Sequence, residues 1–278
     1  MKPVAFDALA PTYDSDFTHS LIGAAQRRTV WDVLDPILAQ RGRPCRVLEI
    51  NCGTGEDALH MAAAGHRVLA TDVSASMLRL SAAKLDAAGL QGLAQVHMLD
   101  LQALACGTLT PAAWGGPFDL VLSNFGGLNC LSPDTLAALA KPLSDGLVQG
   151  GELVTVVMPR ACLWEGLWGA LRLRPRLASR RWRGGPAWAN LAPESADAPL
   201  AIWYPGLRAL ERQWAPHFTL LRRRAVGLFV PPSYLEHWAR RAPGLLRTFE
   251  TMDRHWFTAG LWAPLADHAL LHWRKRAP

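Results

Sequence analysis

Between residues 46 and 158 one pattern recurs five times: a short apolar run ends on a polar residue, and apolar positions at helical spacing follow. The runs are Arg46–Ile50, Arg67–Asp72, Gln95–Asp100, Phe118–Phe125 and the stretch from Glu152 to Met158. Near-continuous apolar runs belong to strands covered on both faces, so the alternation predicts a parallel sheet between helical layers. The first helix is predicted over 54–64, with Gly65 closing it. The next runs from the N-cap Ser74 through Met77, Leu78 and Leu80 to about Ala88, stopped by Gly89. Leu101 to Gly116 is less regular. Ser132-Pro133-Asp134 opens a helix carrying Leu136, Leu139, Ala140 and Leu143, and Gly150-Gly151 then turns into the fifth strand. Ahead of the first strand, Leu21 to Leu38 reads as a helix with Val30, Trp31, Leu34, Ile37 and Leu38 on one side, expected to fold over the ligand-binding edge. Beyond 158 the pattern predicts a helix over 163–174, a loop or hairpin over 186–203 and a helix over 204–214. A strand over 218–230, helices over 233–241 and 245–257, and a last strand over 269–273 follow.

The turn after the first strand, Asn51-Cys52-Gly53-Thr54-Gly55, carries the chemistry. Glycine there permits a positive φ and close approach of a ligand to the backbone, and Asn51 tolerates the left-handed region well enough to stand in for a glycine. Gly53 to Ala58 also fits the dinucleotide pattern, which sets a pyrophosphate on a helix N-terminus. Charge separates the readings. Glu49 ends the strand and Glu56 and Asp57 open the helix, an acidic turn that repels a pyrophosphate. It suits a ligand bearing an ammonium and a sulfonium, as S-adenosylmethionine does. Complementing a helix dipole accounts for Glu56 and Asp57 but not for Glu49. Open parallel sheets bind ligands outside the carboxyl ends of their strands, where Glu49, Asp72, Asp100 and Asn124 all fall.

With 278 residues the chain is one large domain, or one domain with a substantial elaboration. No apolar run approaches the ~20 residues of a membrane span, and the first ten residues lack a leader pattern, so the expected compartment is the cytoplasm. Five scattered cysteines without a C-x-x-C pair indicate neither a disulfide framework nor a metal site. Charge divides the chain: residues 1–158 hold 10 Lys/Arg against 15 Asp/Glu, and 159–278 hold 19 against 8 together with ten of the twelve tryptophans.

The segments VLEINCGTG (47–55), ATDVSASML (70–78), the acid of MLDL (98–101), FDLVLSNFGGLNCL (118–131) and LVQGGELVTVV (147–157), in this order and spacing, resemble the class I S-adenosylmethionine-dependent methyltransferases. The resemblance is to their small-molecule branch of ubiquinone/menaquinone methyltransferases (methyltransferase type 11) and covers about residues 5–158; Asn51 stands where that family usually has glycine. It implies an α/β, doubly wound, Rossmann-like fold with a mostly parallel seven-stranded sheet whose last strand is antiparallel to strand six. The expected organisation is an N-terminal helical cap (1–45), a cofactor-binding core (46–158), and a helical Trp/Arg-rich lid with the last two strands (159–278). Position by position, the resemblance implies that Gly53 and Gly55 let S-adenosylmethionine approach the backbone. Asp72 would accept from the ribose hydroxyls, with Val73 and Met77 near the adenine. Asp100 would meet the adenine amino group, Leu101 would pack on the ring, Asn124 and Phe125 would border the methionine moiety, and Tyr13 would close over the cofactor.

Two inserts, at about 159–203 and 231–267, are expected beside the cofactor pocket. Their tryptophans offer apolar surface and their arginines suit phosphate or carboxylate groups, so the expected acceptor is an amphiphilic or anionic small molecule. Peripheral membrane contact by 163–183 is compatible with that class. Against nucleic acid, Ser123-Asn124-Phe125-Gly126 lacks the Asn/Asp-Pro-Pro-Tyr signature of base-amino methylation and no Pro-Cys nucleophile is present. His19, His217, His237 and His255 are bases by type, and none is assigned. A non-catalytic S-adenosylmethionine-binding module and a nicotinamide-dependent oxidoreductase are the competing readings.

Overall fold

The computed structural model describes residues 6–109, 114–173, 179–189 and 199–277. Helix α1 (Ala10–Tyr13) and the long α2 (Leu21–Ala39) precede the sheet. Strand β1 (Arg46–Ile50), helix α3 (Glu56–Ala63), strand β2 (Arg67–Asp72), helix α4 (Ala75–Ala87) and strand β3 (Ala94–Met98) then alternate. Helix α5 (Leu101–Ala105), strand β4 (Phe118–Ser123), helices α6 (Pro133–Ala138) and α7 (Ala140–Asp145), and strand β5 (Leu147–Val157) continue the alternation. Helix α8 (Leu163–Leu171), a two-stranded ribbon β6 (Ala187–Ala189) and β7 (Leu200–Ile202), and helix α9 (Leu207–Trp214) lead to β8 (Phe218–Val226). Helices α10 (Glu236–Arg241) and α11 (Pro243–Thr251) lie between β8 and β9 (His268–Lys275).

The seven-stranded sheet runs β3-β2-β1-β4-β5-β9-β8, with β1 to β5 parallel and β9 antiparallel to both neighbours. Alternate residues feed two helical layers, as the period of a strand requires. Leu48, Ile50, Val121, Leu153 and Leu271 pack on α5, α6, α7 and α9; Val47, Leu120, Leu122, Val154 and Leu270 pack on α2, α3 and α4. The chain order reverses between β1 and β4, which opens a crevice at the carboxyl ends of these two strands.

Three local expectations change. Gly150 and Gly151 do not precede β5 but lie inside it: the strand starts at Leu147, opposite Phe118, and the glycines occupy a register shift, with Gly150 at φ +69. Strand β3 stops at Met98, and Asp100 instead N-caps α5 by accepting the Gln102 N–H at 2.8 Å. Strand six is shorter than its apolar pattern, because Gly227 at φ +73 ends it.

Several tryptophans and one arginine of the basic half are structural. Trp214 and Trp273 are fully buried in the main core, and Trp164, Trp168 and Trp238 line a smaller core that joins Ile22 of α2 to Val230 and Leu246. Cys162, Glu165 and Asp267 bring ligand-type atoms within 4.8 Å of one another. Arg181 sits among them, pairing with Glu165 at 2.8 Å and Asp267 at 2.7 Å. A guanidinium therefore fills the place a cation would take, and it ties the α8 region to the start of β9. Among the described residues no helix is long and apolar enough to cross a membrane.

Candidate functional site

The crevice at the β1/β4 reversal is a cavity of about 540 Å³. Its floor is the turn after β1. Asn51 takes φ +58, the left-handed conformation the sequence anticipates for it, and its amide donates to Ser123 Oγ at 3.1 Å, linking the ends of β1 and β4. Gly53 follows at φ +55, and its N–H donates to Asp72 Oδ2 at 3.0 Å. Ser74 N–H donates to the other Asp72 oxygen at 2.9 Å. The carboxylate is thereby aimed by backbone from two segments, and burial pushes its pKa up against those donors.

Of the residues anticipated for the site, Tyr13, Asn51, Gly53, Asp72, Val73, Met77, Asp100, Leu101, Asn124 and Phe125 all line this cavity. Glu49 and Gly55 do not. Glu49 lies within β1 behind the turn, 1% exposed, has a buried Oε2 without a partner among the described residues, and is pushed well above the ordinary carboxylate range by burial and then by Asp57. Gly55 faces the protein interior: a Cβ there would lie 2.1 Å from Ser81 Oγ of α4. Its φ of +78 and the tight approach of α3 to α4 require glycine.

The acidic turn is also less exposed than its sequence. Arg27 of α2 meets Asp57 at 2.5 Å with both side chains buried, and Trp31 Nε1 and Asn124 Nδ2 donate to the same carboxylate at 2.7 and 2.9 Å. Lys84 bridges Glu56 at 2.8 Å and Asp14 at 3.0 Å. Cations from α2 and α4 answer these acids, so Asp72 and Asp100 are the cavity carboxylates without a cationic partner among the described residues. Arg27 lines the cavity too, and its Nε is buried without a partner. Burial opposes its charge, and Asp57 outweighs that opposition, so the guanidinium stays charged. Nothing in the apolar spacing of α2 singles out Arg27; its role depends on a partner thirty residues away.

Aromatic contacts close the cavity. Tyr13 Cε1 is the nearest atom to a Cβ built on Gly53, 3.8 Å away, and burial pushes the Tyr13 phenol up to about 12. Phe125, at φ +47, stands edge-on to Phe17 and to His268 and takes the Arg27 guanidinium 4.8 Å from its ring centre. A bulky residue held in the left-handed region at the end of β4 is strain of the kind found at functional sites.

Sheet order divides the cavity. On the β1–β3 side lie Gly53, Asp72, Val73, Met77, Leu99, Asp100, Leu101 and Gln102, an apolar slot between two carboxylates. On the β4–β5 side lie Cys130, Leu131 and Met158, roofed by Ala189, Leu200, Ile202 and Tyr204 of the ribbon and the residues after it. No histidine and no lid arginine is among the lining residues described. Of the arginines anticipated as anion-binding groups, Arg180 and Arg181 pair with Glu165, and Arg254 pairs with Asp32.

Residues 47–151 match the family model described as a methyltransferase domain. The tRNA 5-carboxymethoxyuridine methyltransferase of Escherichia coli K12 is 33% identical over 79 residues, which covers 28% of this chain and 30% of that protein. The match thus spans about 30% of the length of the curated relatives. Among solved structures, the 4+2 cyclase SpnF superposes with a TM-score of 0.60 at 18% identity, over 98% of this chain and 94% of that one. The magnesium protoporphyrin IX methyltransferase of Synechocystis PCC 6803, with bound SAH, gives 0.54 at 14% identity, over 92% and 88%. At these identities the likeness is one of fold.

Proposed function

We propose that this chain, whose residues 47–151 form a class I S-adenosylmethionine-dependent methyltransferase domain, moves a methyl group to an apolar or amphiphilic small molecule held under the β6–β7 ribbon. The observation that carries this reading is the division of one cavity into a carboxylate-flanked slot and an apolar chamber.

The donor set fits S-adenosylmethionine. Asp72, fixed by Gly53 and Ser74, takes the ribose hydroxyls; Val73, Met77 and Leu101 form the adenine slot with Asp100 at its edge; Arg27, with a buried unpartnered Nε, takes the carboxylate. When bound, the cofactor supplies an activated methyl on a sulfonium. The chain's own work is to orient the acceptor and keep water out. Tyr13, Phe125 and the ribbon cover the reacting region. Among the described residues no imidazole lines the chamber, and burial raises the Tyr204 phenol. The apolar surroundings of the chamber favour an amphiphile over an anion.

A second reading, a nucleic-acid acceptor, is favoured by the Escherichia coli tRNA-modifying relative. That the same fold serves the cyclase SpnF keeps a third, a cofactor-binding protein without methyl transfer, in contention. One experiment separates them. The purified chain is titrated with S-adenosylhomocysteine and with NAD by calorimetry, then given methyl-labelled cofactor and a cell extract. Binding of S-adenosylhomocysteine with label in the organic-soluble fraction is expected. Label in the RNA fraction would select the second reading, binding without transfer the third, and NAD binding alone would overturn all of them.

A further inference from the structure

We infer that the protein docks on anionic lipid surfaces through the outer face of helix α8 and the exposed residues among 172–173 and 179–189. In helix α8, Leu163, Leu167 and Leu171 are 48%, 53% and 69% exposed. At four-residue spacing they fall within an arc of about 100°. The other side of the helix is turned inward, with Glu165 and Gly169 buried and Trp164 and Trp168 on the small core. Leu173, just past the helix, Trp182 and Trp188 are exposed as well. An apolar face of this extent marks a contact surface.

Charge selects the partner. The insert over 159–203 holds seven arginines against three acids, Glu165, Glu194 and Asp197, and Glu165 is buried and paired with Arg180 and Arg181. The exposed charges described over 159–189 are all positive, and Arg172 folds over the Trp168 ring at 4.4 Å. A second copy of the chain would set like charge against like. A layer of anionic headgroups supplies the complement, and exposed leucine and tryptophan beside arginine is a composition that settles at a bilayer interface.

The face adjoins the chamber. Ala189 lines the cavity, and Trp188, its neighbour along β6, is 67% exposed on the opposite side of the ribbon. The ribbon thus roofs the acceptor half and presents an aromatic ring outward, which suits an acceptor dissolved in lipid. Only this last link rests on the proposed function.

The test is co-sedimentation of the full chain with phosphatidylcholine vesicles with and without about a quarter phosphatidylglycerol. Light scattering and S-adenosylhomocysteine calorimetry on the same preparation accompany it. Binding to the anionic vesicles is expected, falling on the order of tenfold in Leu167→Asp/Leu171→Asp and in Arg172→Glu/Arg183→Glu, with cofactor affinity unchanged. No binding to anionic vesicles, binding that both variants retain, or a dimer that Leu167→Asp/Leu171→Asp dissociates would each overturn the inference. Because vesicle binding and calorimetry are read separately, its failure is distinct from failure of the cofactor assignment.

Discussion

Arg27 and Asp57 form a buried ion pair, Nη1 to Oδ2 at 2.5 Å, that joins α2 to the first turn of α3, the helix after the Gly53 turn. Through it, an acid that the sequence presents as ligand-facing becomes part of the frame, and the base that neutralises it becomes part of the cavity.

Removing one partner strands the other's charge. Asp57→Ala is expected to destabilise the fold by about 3–5 kcal/mol, whereas the paired change Arg27→Met/Asp57→Leu costs far less. Chemical denaturation measures both. In calorimetry the paired variant still loses affinity for S-adenosylhomocysteine, because the guanidinium that lines the cavity is gone.

Asp72 accepts from Gly53 and Ser74 and faces the cavity. Asp72→Ala is expected to weaken S-adenosylhomocysteine binding by about 2–3 kcal/mol, and calorimetry at matched folded fraction reads the loss.

Gly53 and Gly55 should part company. Gly55→Ala drives a Cβ into Ser81 and holds alanine at φ +78, so a loss of about 2–3 kcal/mol in stability is expected with little change in cofactor affinity per folded molecule. Ser81→Gly in the same chain should recover part of the stability, since it removes the clash but not the backbone strain. Thermal denaturation with and without S-adenosylhomocysteine checks this.

The chamber under the ribbon can be filled without touching the slot. Ile202→Trp is expected to cut methyl transfer about tenfold or more while leaving S-adenosylhomocysteine affinity within about twofold. Parallel loss of both would place Ile202 in the cofactor half.

A pH effect is expected far from the site. Burial opposes the charge of Glu152 in β5, but His272 and Arg274 of β9 outweigh it and hold its carboxyl at about 2, below the ordinary 4.5. A depressed carboxyl stabilises the fold above its unfolded value, and that contribution is lost as pH falls from about 4.5 toward 2. Wild type should therefore exceed Glu152→Gln in urea midpoint at neutral pH, with the gap closing across that acid window.

Apart from the end of β3, the start of β5 and the end of β8, the strand runs were legible in the sequence, as were the Gly-bearing turn, the left-handed Asn51, the cap at Ser74 and the helix opening at Ser132, because each depends on residues within one turn or strand of it. The parallel sheet followed from the regular alternation, and with it the placing of Asp72 at a strand's carboxyl end, whereas the seven-stranded arrangement came from the family resemblance. Tertiary structure alone decided which carboxylates stay unpaired. Glu56, Asp57 and Asp14 meet cations 28, 30 and 70 residues away, Glu49 loses contact with the cavity by facing α3, and Arg181 closes on Asp267 across 86 residues. It also decided which tryptophans reach the surface. Charge and burial depend on distances in space, and a sequence states only distances along the chain.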